Sequence, residues 1–152
     1  MKQIKAFKST DPVLREHNSA SDVYSQESNV NQCEIIVLSK TLTEYAERIE
    51  KMLQNVGIQV DLLFPNDQVP MKLILGKIQA RGCLYAIVIF PVNLKHNSLT
   101  LHVLQGELVE HRNMPTEDAI QLIKADFVEK TSLYYLLSGI IQTMLATSNQ
   151  LK

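Results

Sequence analysis

Residues 84–90, Leu-Tyr-Ala-Ile-Val-Ile-Phe, form the most apolar strand-length run in this 152-residue chain, and Pro91 ends it. A run of this length without charged residues predicts a strand that is buried on both faces, as in the interior of a parallel sheet. Parallel neighbours must be joined by crossover segments, usually helices. The segments before and after this run therefore decide the fold.

Two more strand-like runs precede it. Residues 33–38 (CEIIVL) are apolar almost throughout. Residues 58–64 (IQVDLLF) begin with alternating apolar and polar residues and end with three apolar ones. Between the runs, apolar residues recur at three- and four-residue spacing over 42–56 and again over 70–81, which predicts two helices. The order β-α-β-α-β predicts three parallel strands joined by right-handed crossovers.

The pattern changes after Pro91. Residues 98–104 alternate between polar and apolar, which predicts a strand. Gly106 indicates a turn, and residues 107–111 form a second strand that runs back beside the first. These two strands are predicted to extend the sheet in antiparallel fashion. A helix is predicted over 115–128, and an apolar helix over 133–145. The fold class is therefore α/β, with a mixed five-stranded sheet flanked by helices.

The chain divides into three segments by composition. Residues 1–31 are rich in Ser, Asn, Gln and Asp and are predicted to be a flexible leader. Residues 32–130 are predicted to form the α/β domain. Residues 131–152 hold the apolar helix, which must bury its surface against the domain or against another chain, so a dimer through this helix is one alternative.

Composition excludes several classes of protein. The 15 basic and 16 acidic residues give a net charge of −1, which argues against a general nucleic-acid binder. Two cysteines are too few for a disulfide framework, and no apolar run is long enough to cross a membrane. We expect no membrane association and a reducing compartment, the cytosol or nucleus. Three early lysines leave the mitochondrion as an alternative.

The chain lacks the common signatures of catalysis. No glycine-rich loop follows the strand at 33–38, which excludes the usual phosphate-binding motifs. The four histidines and two cysteines show no metal-ligand spacing, and no nucleophile elbow is present. We therefore predict a non-catalytic protein with no cofactor and no metal.

Residues 110–115 (EHRNMP) are the densest polar cluster of the region that is predicted to be ordered. We place this cluster between the last strand and a helix. In one interpretation, His111 and Arg112 hold a phosphate or carboxylate beside the helix N-terminus. In the other, which we favour, Glu110 pairs with Arg112 and Asn113 caps the helix. The cluster is thus a candidate polar or RNA site, or a structural turn.

Leu133, Leu136 and Leu137 form an L-x-x-L-L sequence. Leucines at i, i+3 and i+4 share one helical face, which is how a helix docks into an apolar groove of a partner. The same spacing is typical of any amphipathic core helix. From the spacing alone, burial in the core is the favoured interpretation.

The block from residue 33 to about 128 resembles the anticodon-binding domain of class II aminoacyl-tRNA synthetases. More closely, it is similar to the stand-alone version in the nuclear receptor coactivator 5 family. The most specific shared piece is residues 110–115, followed by Asp118-Ala119. The other shared residues are Cys33, Ser39-Lys40, Tyr45-Ala46-Glu47, Val60-Asp61-Leu62, Phe64, Arg81-Gly82 and Ala86-Ile87-Val88-Ile89.

The resemblance implies a three-layer fold with a mixed five-stranded sheet. It also implies a nuclear transcriptional coregulator whose partners are nuclear receptors or transcription complexes. Leu133, Leu136 and Leu137 would then be the docking element. The synthetase side of the resemblance supplies the alternative, an RNA- or tRNA-binding module or an accessory subunit of a synthetase or mitochondrial polymerase.

Overall fold

A computed structural model of the chain describes residues 30–150, so the predicted leader lies outside the described residues except for its last two. A short 3-10 turn, Lys40–Leu42, precedes the first helix. The elements are β1 (Cys33–Val37), α1 (Thr43–Asn55), β2 (Val60–Leu63), α2 (Met71–Ala80), β3 (Tyr85–Ile89), α3 (Pro91–His96), β4 (Ser98–Val103), β5 (Val109–Pro115) and α4 (Thr116–Gln150).

The strands form one mixed sheet in the order β2-β1-β3-β4-β5. β1 pairs in parallel with both β2 and β3, whereas β4 pairs antiparallel with β3 and β5. β1 and β3 are buried at every position because both lie inside the sheet and are covered on both faces. The predicted mixed sheet, three parallel strands with an antiparallel extension, is confirmed.

The helices cover the two faces of the sheet unequally. On one face α1 and α4 pack over the main core, which contains Tyr45, Ile49, Ile87, Leu101 and Ile123. On the other face α2 packs alone, over a smaller cluster. This arrangement gives the predicted three layers. One helix is too narrow to cover five strands, so part of this second face stays open.

Gly57 and Gly82 end α1 and α2 in the same way. Both have a positive φ, +84° and +85°, a conformation that costs glycine little. After α1, Gly57 N–H donates to the Gln54 carbonyl and Ile58 N–H to the Leu53 carbonyl. These two bonds satisfy carbonyls that the helix end leaves free and turn the chain directly toward β2.

One helix was missed by the sequence analysis. Pro91 ends β3 as predicted, but it also begins α3 (Pro91–His96). Proline fits the first helical position because its fixed φ suits the helix and its missing N–H needs no partner there. The Asn93 side chain accepts a hydrogen bond from the Phe90 backbone N–H, and Asn97 closes the helix in the left-handed conformation with φ 48°.

The polar cluster at residues 110–115 lies within strand β5, not in a turn between a strand and a helix. Leu99 pairs with Met114 but Leu101 pairs with His111, so two residues, Arg112 and Asn113, lie opposite Thr100. This is a β-bulge. Asn113 has φ 50°, a left-handed conformation that asparagine tolerates better than most residues. The prediction that Asn113 caps the helix is therefore wrong.

Helix α4 is longer than predicted. The helices expected over 115–128 and 133–145 are one continuous helix of 35 residues, Thr116–Gln150. No proline or helix-ending glycine interrupts residues 128–133, so nothing in the backbone stops the helix. At its start, Thr116 bonds through both its backbone N–H and its hydroxyl to the Asn97 carbonyl, at 3.1 and 3.0 Å.

Candidate partner-binding surfaces

The C-terminal half of α4 has no partner within the described residues. Ala119, Ile120 and Ile123 are buried against the sheet, and Phe127 is the last residue packed on the core. Beyond it the helix continues into solvent. Its exposed large apolar side chains are Val128, Leu133, Tyr134, Tyr135, Leu136, Leu137, Ile140, Ile141, Met144 and Leu145.

The three leucines of the L-x-x-L-L sequence are exposed. Leu133, Leu136 and Leu137 have 55%, 62% and 50% of their surface open to solvent, respectively. The favoured interpretation from spacing, that they belong to the core, is therefore wrong. Soluble chains seldom expose this many neighbouring large apolar side chains without a binding role.

A polar cluster holds α4 against the sheet at the point where the helix leaves the domain. The Tyr85 hydroxyl, on β3, donates a hydrogen bond to the Asp126 carboxylate. The Lys130 ammonium lies 2.7 Å from the same carboxylate and 5.1 Å from the centre of the Tyr85 ring. Burial raises the pKa of Asp126, but the Lys130 and Tyr85 contacts outweigh it, so that pKa lies below its ordinary value. The carboxylate therefore stays ionised and keeps both partners.

A second candidate surface is the open part of the sheet beside α2. There the side chains of β3, β4 and β5 line a depression of about 400 Å³. Its polar walls come from Thr100 and His102 on β4 and from the bulged strand β5. The lining residues are Met71, Val88, Phe90, Thr100, His102, Glu110, Arg112 and Asn113.

The charges in this depression largely cancel. Arg112 Nε donates to Glu110 Oε1 at 2.7 Å, which confirms the predicted pair. This bond lowers the pKa of Glu110 and raises that of Arg112, so both stay ionised. His102 lies directly opposite Glu110, and burial holds its pKa below the ordinary value. At neutral pH the site is one ion pair beside a neutral imidazole, which can both donate and accept a hydrogen bond.

His111 does not join Arg112 in this depression. His111 is opposite Leu101, whose side chain belongs to the core beneath α1 and α4, so the two share that face of the sheet. Arg112 lines the opposite face. The alternative interpretation, a phosphate or carboxylate site built from His111 and Arg112 together, is therefore wrong, because neighbouring residues of a strand point to opposite faces.

Thr100 and His102 were not identified from the sequence as residues of the depression. The signal was present in the alternation of residues 98–103, where Leu99 and Leu101 face the main core and Thr100 and His102 face the opposite side of the sheet. Among residues 30–150, no three His, Cys, Asp or Glu side chains are placed to hold a metal ion. Across the same residues, no helix has the length and apolarity needed to cross a membrane.

Comparison with known families agrees with this architecture. A family model described as an anticodon binding domain matches residues 32–126, from the start of β1 to the anchored part of α4. The chain belongs to the anticodon binding domain family. The match is to a binding domain, in keeping with the prediction of a non-catalytic module. Leu133, Leu136 and Leu137 lie beyond the matched residues.

The relatives of this anticodon-binding domain are of two kinds. Nuclear receptor coactivator 5 of mouse and of human is 35% identical over 95 residues, which span 62% of this chain but only 16% of the relative. The fold is shared with solved synthetase structures at 17% identity. Histidyl-tRNA synthetase from Nostoc sp. PCC 7120 gives a TM-score of 0.55 over 70% of this chain and 26% of the synthetase. The RNA binding domain of threonyl-tRNA synthetase from Cryptosporidium parvum Iowa II gives 0.53 over 62% and 23%.

Proposed function

We propose that this domain is a non-catalytic, protein-binding module of a nuclear transcriptional coregulator, and that it docks to nuclear receptors through Leu133, Leu136 and Leu137. The observation that carries the proposal is the exposure of these leucines on a helix whose other end is bonded to the domain through Tyr85 and Asp126. A preformed helix loses little conformational entropy on binding, because the backbone is already ordered before the partner arrives.

The geometry of the leucines suits a partner with an apolar groove. Residues spaced i, i+3 and i+4 form a compact patch on one helical face, and a groove on the partner removes that patch from water. Burying a leucine side chain contributes about 1.5–3 kcal/mol, so the three leucines together contribute roughly 4.5–9 kcal/mol, against the roughly 8 kcal/mol that corresponds to micromolar binding. The similarity to nuclear receptor coactivator 5 supports both the class of partner and a nuclear location.

Calorimetry with the ligand-binding domain of a nuclear receptor tests the proposal. We expect saturable binding by the full chain, and a loss of at least tenfold in affinity for Leu136→Ala combined with Leu137→Ala. Tyr135→Ala is the matched control, since Tyr135 is 70% exposed but lies on the opposite side of the helix. No binding by the wild-type chain, or equal losses in the double variant and the control, would contradict the proposal.

An RNA-binding module is the second candidate, and the depression at β4 and β5 is the observation that favours it. The polar groups of His102 and Arg112 face an open, concave part of the sheet, and the fold is that of the threonyl-tRNA synthetase RNA binding domain. The balance of charge weighs against it, because Glu110 neutralises Arg112. A salt titration of tRNA binding tests this candidate: steep loss of affinity with salt, and weaker binding by Arg112→Ala, would favour it over protein docking.

A further inference from the structure

We infer that the exposed half of α4 pairs with the same segment of a second copy of this chain, forming a symmetric helical dimer. This inference goes beyond the proposed receptor docking and does not depend on it. It rests on the spacing of the apolar side chains of α4, on the area that they expose and on the absence of charge among them.

Four apolar side chains of the exposed half follow the spacing of a coiled-coil seam. Leu133, Leu137, Ile140 and Met144 are separated by four, three and four residues. At about 100° per residue these four positions fall within a stripe roughly 60° wide along the helix. A repeat of 3.5 residues keeps such a stripe facing a partner helix, whose side chains form the holes into which these residues pack. The L-x-x-L-L sequence ends at Leu137, so Ile140 and Met144 extend the stripe beyond what that sequence requires.

The exposed area matches what a stable dimer needs. Seven of the exposed apolar side chains lie within about 90° of the seam. They are Leu133, Tyr134, Leu136, Leu137, Ile140, Ile141 and Met144, and they are between 47% and 68% exposed. A large side chain in that range leaves on the order of 100 Å² in contact with water. Together the seven offer roughly 700 Å² per copy, close to the ~800 Å² per partner of a standard interface.

The absence of charge makes the surface complementary to itself. Residues 131–150 contain no Asp, Glu, Lys, Arg or His. Two copies can therefore meet about a two-fold axis without like-charge repulsion, as identical surfaces must do in a symmetric dimer. The polar residues Gln142 and Asn149 lie on the side away from the seam, so pairing leaves them in water.

The dimer and the receptor-docked form would be alternative states of this helix. Leu133 and Leu137 lie in the seam, so pairing of two copies covers part of the L-x-x-L-L patch. Ile140 and Met144 lie in the seam but outside that patch. Substitutions at Ile140 and Met144 therefore separate the dimer from docking.

Sedimentation equilibrium of the full chain, at concentrations from about 1 to 100 μM, tests the inference. We expect the wild type to reach twice the mass of one chain, with little dependence on salt because no ion pairs are involved. Ile140→Glu combined with Met144→Glu adds two charges to the seam and is expected to remain monomeric. Gln142→Glu combined with Asn149→Glu adds the same charge on the polar side and is expected to dimerise as the wild type does.

Three results would overturn the inference. They are a wild-type chain that stays monomeric throughout the range, a wild-type chain that forms open-ended oligomers instead of a dimer, and a dimer that survives Ile140→Glu with Met144→Glu. Glutamate is a good helix former, so the substitutions preserve α4 itself. Circular dichroism of each variant checks that the fold is retained. A variant that fails this check is replaced by a pair of glutamates at two other positions on the same side of α4.

Discussion

The hydroxyl of Tyr85, on the buried central strand β3, donates a hydrogen bond to the carboxylate of Asp126, one residue before the last core contact of α4. Lys130 completes the cluster one helical turn later. Up to this point α4 is part of the domain, and beyond it the helix is exposed. The pair therefore sets the boundary between the folded core and the surface that we propose for binding.

Tyr85→Phe is expected to lower the free energy of unfolding by about 1–2 kcal/mol, because the ring still fills the core but the hydrogen bond to a charged group is lost. Urea denaturation followed by circular dichroism measures the change. Tyr135→Phe is the matched control, since Tyr135 is exposed on α4, and its effect on the free energy of unfolding is expected to stay within about 0.5 kcal/mol. Equal effects of the two substitutions would show that the Tyr85 bond does not anchor α4.

The two arginine–glutamate pairs are expected to differ in their contribution to stability. Arg81 contacts both carboxylate oxygens of Glu34 at 2.5 and 2.6 Å, and Glu34 lies buried in β1. Arg81→Ala leaves that carboxylate in a buried site without its partner, at a cost of about 2 kcal/mol after allowing for the partial exposure of Arg81. Arg112→Ala breaks the exposed pair with Glu110, which water screens, and is expected to lower the free energy of unfolding less than Arg81→Ala does.

Urea denaturation of both variants at neutral pH makes this comparison. A larger loss for Arg112→Ala than for Arg81→Ala would contradict it, and would indicate that the β5 bulge depends on its ion pair.

The parallel half of the sheet was predictable because buried parallel strands carry long apolar runs, such as residues 84–90, that have few other interpretations. The two helix-ending glycines were equally clear. Helix α3 was not predictable with the same rules, since Pro91 serves both to end a strand and to begin a helix. Strand β5 was placed too early because its pairing with β4 depends on a bulge, and a bulge leaves almost no pattern in one sequence.

For the candidate surfaces, too, local features could be predicted from the sequence and features set by long-range packing could not. The Glu110–Arg112 pair followed from local spacing, since residues two apart on a strand share a face. The depression beside it required the sheet order and the position of α2, which are set by long-range packing. For Leu133, Leu136 and Leu137 the spacing identified the face of the helix, but core and exposed helices share that spacing. The structure shows that the leucines are exposed because the contacts between α4 and the core end at Phe127.

His102 is expected to titrate with a midpoint below 6.5, because burial disfavours the charged imidazole. Since the unfolded chain then binds the proton more readily, the stability that neutral His102 contributes is present above pH 6.5. It is lost as the pH falls from there through the lower, folded-state pKa. Nuclear magnetic resonance of the imidazole carbons measures the midpoint.

Substitutions at the neighbouring pair shift that midpoint in opposite directions. Arg112→Ala removes a positive charge and is expected to raise the His102 pKa, whereas Glu110→Gln removes a negative charge and is expected to lower it. A shift in the same direction for both variants would contradict the proposed electrostatics of the depression.

We propose that the leucine face of α4 is the surface that meets a protein partner. A photo-crosslinking benzoylphenylalanine in place of Tyr134, beside the leucines, tests it against the same residue in place of Phe90, in the sheet depression. Both positions are exposed aromatic residues. We expect a nuclear receptor ligand-binding domain to be crosslinked from position 134 and not from position 90. Crosslinking from position 90 alone would contradict it.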